Sequence, residues 1–161
     1  MKITTIAALA AVSLLAACAS KPKNDMSNTN GMSTGGPTSS GPIGGSEEDL
    51  VQNVGDRVFY EFNKSTLTDE AQATLSKQAG WLARYPNVRI QVAGNADDRG
   101  TEEYNLALGN RRANAARDFL VAKGVSNDRI STISYGKDRP TALGDDEQAW
   151  AQNRNAITSV K

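Results

Sequence analysis

The stretch Gly94 to Phe119, GNADDRGTEEYNLALGNRRANAARDF, decides how the chain is read. A glycine-bounded acidic loop, Asp97-Asp98-Arg99-Gly100, runs into a helix predicted over Thr101 to Lys123. Glu102 and Glu103 sit in its first turn, and Gly124 is placed as a left-handed stop. Helical periodicity gathers Leu108, Ala115, Ala116, Phe119 and Leu120 on one broad apolar arc, with Asn105 and Arg112 near its centre. Burying an unpaired guanidinium costs several kcal/mol, so Arg112 is expected to have a carboxylate partner, supplied by the protein or by a ligand. Arg111, Arg117 and Asp118 point away from the arc and read as a solvated face.

Outward from this stretch, strand and helix alternate. Arg57 to Phe62 reads as an apolar strand. Thr68 caps a helix to Tyr85 whose core face is Ala71, Leu75, Gln78 or Ala79, and Leu82, and which Pro86 stops. Val88, Ile90 and Val92 alternate with polar residues as a strand with one wet face. Ile130 to Tyr135 and Ala156 to Val160 supply two more strands, with a short helix or turn at Asp145 to Asn153 between them. The order β-α-β-α-β-(α)-β predicts an α/β (α+β) sandwich: a mixed four-stranded sheet with helices packed on one face. Trp81 and Trp150 are read as core or partner-contact residues before sugar-stacking ones.

Of the 161 residues, 18 are basic and 18 acidic, a balance that points away from nucleic acid. The chain has no histidine, and Cys18 is its one cysteine. Ser-His and Cys-His nucleophiles, imidazole-bound metals and intramolecular disulfides are thereby excluded, and no cofactor is implied. Lys2 and the apolar run Ile3 to Ala17 read as a signal peptide over residues 1–17. Its ending, Leu15-Ala16-Ala17-Cys18, resembles a bacterial lipobox, so Cys18 is expected to be acylated and to anchor the chain in lipid. The Ala19 and Ser20 that follow favour the outer membrane. Residues 18–48 are rich in Ser, Gly, Asn, Thr and Pro and lack hydrophobic period, which predicts a flexible tether with a mean reach of roughly 30 Å. The folded domain is then expected over residues 49–161.

The segments VFYEFNKSTLTDEAQATL, GNADDRGTEEYNLALGNRRANAARDFL, RISTISYGKDRP and ALGDDEQAWAQNRNA resemble, in order and spacing, the carboxy-terminal-domain family of outer-membrane protein A, and within it the peptidoglycan-associated lipoproteins. The resemblance implies a βαβαββ-type fold and non-covalent binding of peptidoglycan through the diaminopimelate of its stem peptide. It also implies an outer-membrane, periplasm-facing anchor that partners the β-propeller protein TolB of the Tol-Pal system in cell division and envelope integrity. The family's loop has the form G-H-x-D-x-x-G and its helix N-x-x-L-x-x-x-R-A. By that pattern Asp97 takes the ligand's ammonium and Arg112 its carboxylate, with Asn105 beside them. Glu61 and Arg154 are carried over as further pocket residues, from a strand aspartate position and a late Asn-Arg-Arg.

Departures stand at Asn95 for the loop histidine, at Ala96 after it, at Glu61 and Asn63 for strand aspartates, and at Asn155 for the second late arginine. Asn95 and Ala96 are therefore expected at the pocket but with altered chemistry. Two other readings stay open: a relative that acts only through protein partners, and a glycan hydrolase using Asp97, Asp98 and Glu61. Nothing in the sequence marks one of those carboxylates out as a general acid. On this reading Asp97→Ala or Arg112→Ala should abolish binding with little loss of fold.

Overall fold

The computed structural model describes residues 41–161. The expected signal peptide, Cys18 and the expected tether as far as residue 40 lie outside the described residues. Folded structure begins ahead of the expected boundary at residue 49. Ser46 accepts a hydrogen bond from the Asp49 N–H and caps α1 (Glu47–Asp49), which continues as a π-helical turn (Leu50–Val54). The Gly45 N–H donates to Asp49 Oδ2, whose carboxylate also accepts from the buried indole of Trp81 at 2.7 Å. A helix-capping serine followed by three acidic residues was concealed in a Ser- and Gly-rich stretch. Trp81 is core, not a sugar platform.

Strand β1 (Arg57–Phe59) is shorter than predicted. Tyr60 still pairs its N–H with the Arg154 carbonyl, but the chain then turns outward, with Asn63 in the left-handed region at φ 55°. Helix α2 (Asp69–Arg84) starts at Thr68, whose hydroxyl accepts from Ala71 N–H, and buries Ala71, Leu75, Gln78, Ala79, Trp81 and Leu82. Strand β2 (Ile90–Asn95) begins two residues later than expected and runs through Gly94 into Asn95. Helix α3 (Glu102–Ala122), capped by Thr101, is followed by Gly124 at φ 97°. Strand β3 (Ile130–Gly136), helix α4 (Glu147–Asn153) and strand β4 (Asn155–Val160) complete the domain.

The four strands form one mixed sheet in the order β1-β4-β2-β3. β4 is antiparallel to both of its neighbours, and β2 is parallel to β3. Val58, Ile90, Val92 and Ala156 join Leu75, Leu82, Ala113, Ala116 and Leu120 in one core, so α2 and α3 cover the same face. The α/β sandwich and mixed sheet expected from the sequence are present. Among the described residues no helix is long and apolar enough to cross a membrane.

One close approach sets the height of α3 over the sheet. Gly94 of β2 and Gly109 of α3 touch backbone to backbone: a Cβ on Gly94 would lie 1.9 Å from the Gly109 carbonyl oxygen, and one on Gly109 would lie 2.6 Å from the Gly94 oxygen. Gly80, mid-helix in α2, faces open space. Alanine is the better helix former by roughly 0.5–1 kcal/mol. Gly80→Ala should therefore raise the unfolding free energy by about that amount, whereas Gly109→Ala should lower it by about 1–3 kcal/mol as the helix is pushed off the strand. Urea unfolding of both variants checks this; a stabilised Gly109→Ala would mean that the contact is not tight.

Candidate functional site

The Gly94–Gly109 contact brings the next turn of α3, and Arg112, against the end of β2. Arg112 is 0% exposed. Its expected carboxylate partner is not there. Nη1 donates to the Asn95 carbonyl at 2.7 Å, Nε to the Lys64 carbonyl at 2.9 Å and Nη2 to the Glu61 carbonyl at 3.2 Å. The guanidinium lies 5.3 Å from the Tyr60 ring centroid, and the Tyr60 hydroxyl donates back to the Arg112 carbonyl. Main-chain carbonyl dipoles replace the carboxylate, which is why no partner was visible in the sequence. Burial pushes the guanidinium down to about 10, opposed by Asp97, so it stays charged at neutral pH. Three of its five N–H groups are satisfied by these carbonyls, leaving one on each terminal nitrogen, as a bidentate carboxylate requires.

Asp97 is also buried, 5% exposed, but its ion pairs are with other arginines. Oδ2 accepts from Arg99 Nη2 at 2.6 Å and Arg154 Nη1 at 3.4 Å. Oδ1 accepts no hydrogen bond among the described residues. The Arg99 guanidinium is sandwiched between the Phe62 and Trp150 rings, 4.1 Å from each centroid, and its bond to Asp97 raises its proton affinity. Arg154 Nε donates to the Tyr60 carbonyl and its Nη2 to Glu147. Arg99, Arg112 and Arg154 thus face Asp97 and Glu147, leaving one positive charge in excess, and of these three Arg112 is the guanidinium without an ion pair.

Asp97, Asn105 and Arg112 line one cavity of about 210 Å³, together with Phe62, Asn63, Arg99, Gly100, Tyr104 and Leu108. Asn105 Nδ2 donates to the Arg99 carbonyl and so pins the loop to the helix. Arg154 stands behind Asp97. Glu61, expected in the pocket, points to solvent in an ion pair with Lys64 and contributes only its carbonyl, because β1 has ended before it. Asn95 likewise gives the pocket its carbonyl: it is the residue after Gly94, so its side chain falls on the opposite face of the sheet. Ala96 faces a neighbouring hollow lined by Lys137, Pro140 and Leu143.

Phe62, Tyr104, Glu147 and Trp150 were missed as site residues. The first and the last two come from segments distant in the chain, and no local spacing signals them. Among the described residues no group of His, Cys, Asp and Glu could hold a metal.

The OmpA family profile matches residues 59–154, which span every element of this site. The chain is 51% identical over 144 residues to the peptidoglycan-associated lipoprotein of Agrobacterium fabrum, covering 89% of this chain and 80% of that protein. With the peptidoglycan-associated lipoprotein of Haemophilus influenzae it shares 40% identity over 146 residues, 91% of this chain and 90% of the relative. Among solved structures, that of the peptidoglycan-associated lipoprotein from Burkholderia pseudomallei superposes with a TM-score of 0.64 at 42% identity, covering 66% of this chain and 90% of the other. The carboxy-terminal domain of Helicobacter pylori MotB shares the fold, with a TM-score of 0.62 at 22% identity over 66% of this chain and 84% of that one. The chain belongs to the OmpA family, among the peptidoglycan-associated lipoproteins.

Proposed function

We propose that the cavity binds the free end of diaminopimelate in the peptidoglycan stem peptide and so holds the outer membrane to the cell wall without a covalent bond. The observation that carries this reading is Arg112: a buried cation with two uncommitted N–H groups, opening on the same cavity as Asp97. A zwitterion suits that pair. Its carboxylate would take the two free N–H groups of Arg112, and its ammonium would take Oδ1 of Asp97, the oxygen that Arg99 and Arg154 leave open. Asp97 is oriented before any ligand arrives, so binding spends little on ordering it.

The anchor is the acylated Cys18 in the outer membrane, and the Ser- and Gly-rich residues that follow are the tether to a domain working in the periplasm. The partner protein is TolB of the Tol-Pal system, and its binding excludes peptidoglycan because the two surfaces overlap. That exclusion would let the anchor be released and moved during division. A hydrolase needs two carboxylates across one cavity, and Glu61 does not share the cavity of Asp97.

The geometry changes what substitution should do. Arg112→Ala strands three carbonyls, that of Asn95 buried, and is expected to cost about 3–5 kcal/mol of stability, so lost binding by that variant would be ambiguous. Arg112→Lys keeps the charge but not the fork, and Asp97→Asn keeps an acceptor for Arg99. Each should fold, and each should weaken sedimentation with purified sacculi at least tenfold. Wild-type-like binding by both variants would remove the site assignment, and release of soluble muropeptides would make the protein a hydrolase.

The pH dependence follows from the same groups. With no histidine in the chain, no side chain of ordinary pKa titrates between pH 5 and 8. Binding needs Arg112 charged and should therefore stay constant over that range, then fall as the pH rises towards about 10. Titrations with a diaminopimelate muropeptide at pH 5.5, 7 and 8 should agree within about twofold, and a steeper change means that another group governs the site.

A further inference from the structure

Asn95 and Asn155, two positions where the chain departs from its family's pattern, meet each other: Asn95 Nδ2 donates to Asn155 Oδ1 at 2.7 Å, and both residues are buried. The orientation of the pair is fixed. Asn155 Nδ2 donates to the Gln152 carbonyl at 2.6 Å and to Thr141 Oγ1 at 3.0 Å, and a carbonyl can only accept. Asn155 must therefore turn its oxygen to Asn95. Asn95 Oδ1 is left buried without a partner among the described residues, so this one bond is the only polar tie on the Asn95 side chain.

At that point the backbone is held from the β3 side alone, where the Ala96 N–H donates to the Gly136 carbonyl at 2.7 Å. The β2–β4 ladder ends at Gly94 and Ala156, and the β2–β3 register shifts between Gly94 and Asn95. The side-chain bond continues the link between β2 and β4 where the ladder stops. What it holds is the Asn95 carbonyl, the shortest of the three acceptors around Arg112.

We propose that Asn155 is a positioning residue for the carboxylate half of the pocket, acting through Asn95 on the Nη1 edge of Arg112. The proposal rests on the reading of the cavity as a diaminopimelate site. Arg154, the residue before Asn155, serves the other half through Asp97, so two adjacent residues of β4 and its approach orient the two charges. Through Thr141 and Gln152, Asn155 also ties this edge of the pocket to the loop before α4 and to the last turn of α4.

The test is selectivity. The full-length protein in detergent micelles would be titrated with N-acetylmuramyl-L-Ala-γ-D-Glu-meso-diaminopimelate and with its analogue carrying a carboxamide in place of the free-end carboxylate. Wild type should prefer the acid. Asn155→Ala should reduce the acid-to-amide affinity ratio about fivefold to tenfold, the weight of one hydrogen bond, while leaving amide binding nearly unchanged. Asn95→Ala cuts the same bond from its other end and should do the same, and the double variant should be no worse than either single one. An unchanged ratio, or equal losses for both ligands, overturns the positioning role while leaving the pocket assignment standing. Failure of the wild type to bind either ligand overturns the pocket assignment and this proposal together.

Discussion

A buried guanidinium held by three main-chain carbonyls is the constraint on which this domain depends. The carbonyls of Glu61, Lys64 and Asn95 belong to the segment after β1 and to the end of β2, while Arg112 belongs to α3. One side chain therefore joins three parts of the chain at the carboxyl end of β2. It can do so because two glycines let helix and strand touch, which brings Arg112 within reach of the strand's last carbonyl. Carbonyl dipoles stabilise the cation without cancelling its charge, so the site keeps one positive charge for a ligand to complete.

Asp97 is treated differently. Arg99 and Arg154 fix one of its oxygens, Phe62 and Trp150 hold Arg99 from both faces, and Glu147 binds both arginines. An ion-pair network of this kind adds little to stability, because desolvation offsets much of the attraction. Its value is orientation: it fixes Asp97 against the cavity that Arg112 also lines. The proposed zwitterion site is thus assembled from one charge held by dipoles and one held by counter-ions.

Much of this was legible in the sequence. The cap at Thr68, the stop at Gly124 and the core face of α2 were read from local chemistry alone, and the apolar arc of α3 placed Asn105 and Arg112 inside. Two things were not legible. The partners of Arg112 are backbone atoms, and every residue carries those, so no residue type announces them. Glu61 was misplaced because it was carried over from a strand position of the family's pattern, whereas β1 ends at Phe59 and the chain turns out towards Asn63. Phe62, Glu147 and Trp150 reach the site only through tertiary packing. The Asn95–Asn155 bond joins residues 60 positions apart that looked like separate departures.

The central claim is that Arg112 and Asp97 read opposite ends of one zwitterion. A crystal structure of the protein with a diaminopimelate-containing muropeptide tests it most directly. The account predicts the free-end carboxylate within hydrogen-bond distance of both terminal nitrogens of Arg112, and the ammonium at Oδ1 of Asp97 with Arg99 still stacked. A muropeptide bound elsewhere, or one in this cavity whose carboxylate avoids Arg112, would contradict it.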